Sequence, residues 1–172
     1  MQVFRRISDE IADLSPTVRV YMATVALLAS AFAVILVASG WSLGSQRIKG
    51  ALVVIALISE RGMIRLRGGL HISISLFPSI FAATLLGPLA GMVVFGASAL
   101  PLPMPFAGRA TYVCHRLIIG GTAGLAAATV SSTISSGTGQ TVLAASSAVL
   151  AAEIVDAGLT SLTYALRRRG NW

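Results

Sequence analysis

Two acids stand in an otherwise apolar stretch near the end of the chain. Glu153 and Asp156 are three residues apart, so a helix would carry them on one face. From Asp156 to Arg167 is about 16 Å at 1.5 Å per helical residue. That distance brings Asp156 near the centre of a bilayer if Arg167 marks the membrane edge. Acids at such depth are costly and face a bundle interior or a cavity. Two uses fit them. They could hold a proton, a cation or a small polar ligand. They could also form a structural lock with hydroxyls or with Arg116, whose long side chain would reach toward Asp156 from a preceding helix. Glu60 and Arg61 end an earlier apolar run, a placement that suits an interfacial anchor.

The remaining reactive types are sparse. His71 stands alone in an alternating segment. Cys114 and His115 are adjacent but lack the further ligands that a metal site needs. One cysteine also rules out an intramolecular disulfide and a cysteine-based zinc site. No nucleophile elbow, phosphate loop or HExxH motif occurs. The expectation is a protein without catalytic residues, resident metal or cofactor.

The elements that would position these residues follow from composition. Of 172 residues, 55% are apolar and 11% are charged, whereas soluble domains carry about 25% charge. Mean hydropathy is +0.83. A soluble chain of this size would expose that apolar excess, so lipid is the expected surrounding. About 20 apolar residues span a bilayer core, which leaves room for about six spans. The 13 basic residues against 6 acidic ones flank the apolar runs. This is the topological use of positive charge rather than a nucleic-acid surface.

Residues 1–16 form the first segment. Val3, Phe4, Ile7, Ile11 and Leu14 recur at helical spacing, with charged residues elsewhere on the wheel. They predict a short amphipathic helix at the membrane surface. Charges of both signs there, and a long first apolar run, argue against a cleaved signal peptide. Residues 17–169 are expected to form one transmembrane helical domain, followed by a cytoplasmic tail at 170–172. Its helices are expected at about Thr17–Ser39, Gln46–Glu60, Thr111–Val130 and Thr141–Leu166, with an apolar block at 77–100. Between residues 64 and 76, apolar residues fall on even positions, an extended pattern that Gly68-Gly69 would turn.

The apolar block is interrupted at Gly87-Pro88. Proline lacks the amide hydrogen of a helix interior and glycine tolerates unusual backbone angles, so a sharp turn is expected between two short helices. Charge supports that division. With six spans and both termini cytoplasmic, Arg5, Arg6, Arg19, Arg61, Arg65, Arg67, Arg109, Arg116 and Arg167–Arg169 fall inside. Only Arg47 and Lys49 fall outside. A five-span path would misplace one pair of basic segments. Gly87-x-x-x-Gly91 and Gly120-x-x-x-Gly124 permit close helix contact and are read as packing within the chain. The fold class expected is an all-α integral membrane bundle of about six helices with an amphipathic N-terminal helix.

Residues 57–100, LISERGMIRLRGGLHISISLFPSIFAATLLGPLAGMVVFGASAL, resemble the N-terminal membrane module of bacterial HD-type phosphohydrolase and diguanylate cyclase signalling proteins. The matching features are Glu60 at a helix end, Gly68-Gly69, the alternating ISISL, and Leu86-Gly87-Pro88 followed by small residues. The resemblance implies a sensory or anchoring module of the bacterial cytoplasmic membrane, partnered by a cytoplasmic output domain. This sequence departs from that pattern in having no output domain after Arg169. The chain would then be part of a longer protein, or act alone or with a separate partner. The LGPLAG pattern between short apolar helices is also similar to the substrate-binding subunits of energy-coupling-factor vitamin transporters. That resemblance implies a small vitamin-like ligand and a coupling subunit as partner.

Overall fold

The structure is a computed structural model. It describes residues 7, 10–61, 64–65, 71–72, 75–134 and 136–169. Six helices occupy most of that length: α1 Pro16–Ala38, α2 Gln46–Arg61, α3 Leu76–Leu85, α4 Pro88–Ser98, α5 Phe106–Thr133 and α6 Thr138–Arg169. Between α2 and α3 lie two-residue strands, β1 Ile64–Arg65 and β2 His71–Ile72, paired antiparallel with Arg65 opposite His71. Ile7 and residues 10–12 are helical within the N-terminal segment.

Local chemistry sets the helix ends. At α1, Ser15 is extended and its side chain accepts from the Val18 amide at 3.4 Å, with Pro16 in the first turn. Both features suit a helix start. The buried face of α1 runs Val18, Tyr21, Val25, Ala29 and Leu36. Its other face exposes Leu27, Leu28, Val34, Ile35 and Val37. On α6, Val142, Leu143, Leu150 and Ile154 are exposed in the same way. Apolar side chains turned outward over most of a helix call for lipid, because water would penalise that much contiguous apolar surface.

Among the described residues, three helices are long and apolar enough to cross a membrane: α1, α5 and the Thr138–Leu166 part of α6. The other three are shorter. By rise per residue, α2 measures about 24 Å and α3 and α4 about 15–17 Å, against a hydrocarbon core of about 30 Å. The membrane character expected from composition is therefore carried by three helices, with the short ones packed among them.

The chain folds back at Gly87. Gly87 has φ +91°, a conformation that favours glycine, and Pro88 opens α4. A Cβ on Gly91 would lie 2.9 Å from the Ala83 Cβ, and Ala82 and Val94 pack together on Ala56 of α2. Residues on either side of the turn are thus neighbours, so α3 and α4 form an antiparallel hairpin. Nearly every α4 residue is buried, including Leu89, Met92, Val94 and Phe95. A helix apolar all round belongs in the centre of a bundle. The two small-residue spacings face each other. A Cβ on Gly91 would lie 2.6 Å from the Gly120 carbonyl oxygen, and one on Gly124 would lie 2.8 Å from the Pro88 nitrogen. The backbones of α4 and α5 touch there, and only glycine permits it.

Cross-links define the two ends of the bundle. The hairpin tip meets the loop after α1, where the Trp41 ring lies 3.2 Å from a Cβ built on Gly87. At the opposite end, Tyr21 near the start of α1 bonds Thr163 near the end of α6 at 3.0 Å. The first helix therefore begins at the end of the bundle where the last one finishes. Here too the Glu10 carboxylate accepts from the Ala107 amide at 2.8 Å, supplying α5 with the N-terminal acceptor that Pro105 cannot offer.

Candidate functional site

A layer of polar side chains crosses the bundle on the tail side of the hairpin. It is built mainly on α5 and α6. On α5, Thr111 and His115 are buried and lie one turn apart, with Tyr112 and Arg116 beside them at the same spacing. Thr111 satisfies its hydroxyl on the Ala107 carbonyl at 2.9 Å. His115 Nε2 lies 2.8 Å from the Tyr21 hydroxyl of α1, and the rings meet edge to face at 5.9 Å. Tyr21 also reaches Thr163 of α6. One phenol thus joins three helices, which uses buried polar groups that would otherwise lack partners.

Arg116 turns back along its own helix. Its Nε donates to the Tyr112 hydroxyl at 2.9 Å, its second guanidinium nitrogen bonds the same oxygen, and the guanidinium carbon sits 5.0 Å from the Tyr112 ring centre. This combines hydrogen bonding with a cation–π contact. The reach of Arg116 toward Asp156 is not used: no ion pair joins these two described residues. Asp156 is half-buried and accepts from Thr160 Oγ1 at 3.5 Å. It stands within electrostatic reach of both Tyr112 and His115. Glu153 is exposed, so the two acids expected to share a face diverge, Asp156 inward and Glu153 outward.

Glu60 is buried at 3% exposure. It accepts a hydrogen bond from Ser75, at the start of α3. Its role is internal: it ties the end of α2 to the base of the hairpin. An anchor at the water interface would not be so enclosed. Gly87 and Pro88 lie at the far end of the hairpin, away from this layer. His71 lies in β2. The proposed tail at 170–172 falls outside the described residues.

Between α5 and α6 the layer leaves a cavity of about 180 Å³. Gly108, Thr111, Tyr112 and His115 line it from α5, Thr160, Thr163 and Tyr164 from α6, and Met104 from the preceding loop. Most of the wall is apolar, with hydroxyls and one imidazole converging on it. Such a pocket orients a small ligand through a few polar contacts. Asp156 sits behind Thr160, one helical turn away. No group of three or more potential metal ligands occurs among the described residues.

Sequence reasoning reached Asp156, Glu60 and Arg116 because charges are conspicuous in an apolar chain. It missed Tyr21, Tyr112, Thr160, Thr163 and the hydrogen-bonded role of His115. The spacing Thr111, Tyr112, His115, Arg116 was a usable signal: four polar residues on adjacent faces of one turn and a half. Tyr21 and Thr163 carried none, since their bonds span 94 and 142 residues. In comparisons with known proteins, no family model, no curated protein and no solved structure matches this chain.

Proposed function

We propose that this protein is a non-catalytic sensory or anchoring module of a bacterial cytoplasmic membrane. In this reading it holds a small polar ligand between α5 and α6. The observation that carries it is the cavity lined by Thr160, with Asp156 one helical turn behind that residue. Among the described residues, this acid within the apolar part of α6 meets a single hydroxyl at 3.5 Å rather than a base, and acids in membrane helices that lack a fixed counter-charge mark ligand, cation or proton sites. The continuity of α6 adds to this. One unbroken helix, Thr138–Arg169, bears Asp156, Thr160 and Thr163 and ends in three arginines. Rotation or displacement of α6 on binding would be passed to whatever adjoins that end, such as a cytoplasmic output domain. The path has six transits, with α3 and α4 as a short inner hairpin and both termini in the cytoplasm. It rests on the positive-inside rule.

The alternative is a vitamin-like substrate-binding subunit of a membrane transporter. The α3–α4 hairpin favours it, because interrupted helices often border transporter sites. A transporter subunit would co-purify with an ATPase partner through a coupling subunit.

The experiment is a thermal-shift screen of vitamins, nucleobases, amino acids and divalent cations on the wild type, Asp156→Asn and Thr160→Val. A ligand at a hundredfold its Kd stabilises by about 2.7 kcal/mol. At about 2–4 °C per kcal/mol for a chain of this size, the melting temperature should rise by roughly 5–11 °C. The shift should be largely lost in Asp156→Asn. A compound that stabilises all three proteins equally would show that this cavity is not its site.

A further inference from the structure

We infer that a second hollow, between the N-terminal segment, α1 and α5, binds one anionic phospholipid of the surrounding bilayer. The hollow is about 270 Å³ and is bounded by Ile11, Arg19, Met22, Ala26, Ala110 and Cys114, among others. Among the described residues its wall is apolar except at Arg19 and a threonine shared with the first cavity. An apolar hollow beside lipid forfeits packing contacts unless a chain fills it. Water gains little there, having too few polar partners.

The occupant follows from charge and shape. Arg19 is the one charged residue among the described residues of the wall. It is exposed, and its side chain has no hydrogen-bond or ion-pair partner among the described residues. No ion pair joins it to Glu10, whose carboxylate accepts from the Ala107 amide at 2.8 Å. Arg19 lies one turn inside the start of α1, where a phosphate would sit, and the apolar wall extends inward to Ala26. That run is about 10 Å at 1.5 Å per residue. This suits one acyl chain and is too short for a docked helix. Headgroup at the rim and tail toward the bilayer centre is the orientation lipid already has. If this end is cytoplasmic, the facing leaflet is the one whose anionic lipids attract basic side chains. The site is separate from the ligand reading above and stands if that reading fails.

The full chain, purified in an uncharged detergent, is titrated with phosphatidylglycerol or phosphatidylcholine in mixed micelles. Bound lipid is counted by native mass spectrometry, and melting temperature is followed in parallel. Wild type should retain one phosphatidylglycerol in preference to phosphatidylcholine. Arg19→Gln should raise the phosphatidylglycerol needed for half-saturation about fivefold, the factor one basic side chain typically contributes at an anionic surface. It should leave phosphatidylcholine binding unchanged. Ala26→Trp, on an exposed position of the wall, should fill the hollow and abolish the adduct. Mass spectrometry reads adducts on the folded fraction, so lost stability does not obscure that result. Glycerol phosphate, a headgroup without chains, should cause no shift. Equal retention of both lipids, an adduct that survives Ala26→Trp, or a full shift with glycerol phosphate would each overturn the proposal.

Discussion

Gly120→Ala is the most direct test of the packing at the centre of this bundle. A Cβ on Gly120 would collide with the Gly91 carbonyl group, lying 2.6 Å from its carbon, and would sit 2.9 Å from the Met92 amide nitrogen. All three atoms of that contact are backbone, so no side chain can swing aside. The helices themselves must separate, and α4 is held on its other faces by α2 and α3. Overpacking a tight core costs about 1–3 kcal/mol, and a rigid backbone contact belongs at the upper end. Alanine returns about 1 kcal/mol through helix propensity. The net loss is about 2 kcal/mol, or roughly 4–8 °C in melting temperature for a chain of this size. Gly158→Ala is the control. It lies within α6 with nothing inside 4 Å of its Cβ, so it keeps the propensity gain and should stabilise by up to about 1 kcal/mol. The assay is a melting curve of the purified variants in one detergent. If Gly120→Ala melts at or above the temperature of Gly158→Ala, the α4–α5 contact is not as close as described and the reasoning fails.

Tyr21→Phe keeps the ring but removes the hydroxyl that joins His115 to Thr163. It should cost about 1–2 kcal/mol, whereas Tyr164→Phe, at an exposed position, should change melting little. Glu10→Ala should lower stability by about 1 kcal/mol, the usual worth of a helix cap, and hydrogen exchange at the Ala107 amide should speed up. Topology can be read by labelling. In a Cys114→Ser background, cysteines at Ser136 and Gly170 should react from opposite sides of the membrane, with Gly170 cytoplasmic, and reaction of both from one side would remove the six-transit path.

What the sequence reveals here is what local chemistry controls. The break at Gly87-Pro88 is legible because a missing amide hydrogen and a positive φ are properties of those two residues alone. The outward faces of α1 and α6 are legible because lipid demands apolar residues whatever the neighbours. The beginning of α5 is less so. The proline-rich stretch 101–108 reads as a loop with the helix following from about Thr111, yet α5 begins at Phe106. Its first-turn amide is satisfied by Glu10, 97 residues away, and no local pattern announces such a partner. Of the alternation over 64–76, the described residues show one antiparallel pair of two-residue strands, Ile64–Arg65 against His71–Ile72. The two glycine spacings are visible separately, but that Gly91 faces Gly120 depends on the hairpin. At the site the acids stand out, while their partners do not. Arg116, the obvious counter-charge, is taken by Tyr112 one turn away. Asp156 is left with a hydroxyl.

The first turns of α5 are where these separate features meet. Ala107 receives Glu10, Gly108 lines the cavity shared with α6, and Thr111 lines both that cavity and the hollow beside α1. Arg109 braces the preceding loop through the Met104 carbonyl at 3.0 Å, and Met104 is itself part of the cavity wall. A ligand between α5 and α6 would therefore press on the same turn that the N-terminal segment caps. A small shift of that turn would alter the Glu10 contact at one side and the Tyr21–His115–Thr163 link at the other. Close packing makes such a turn move as a unit rather than deform. An equilibrium biased this way requires only that the ligand favour one arrangement over the other. Such a coupling would give the proposed sensory role a physical route, from the cavity, through the start of α5, to the Glu10 contact and to the Tyr21–Thr163 link between α1 and α6.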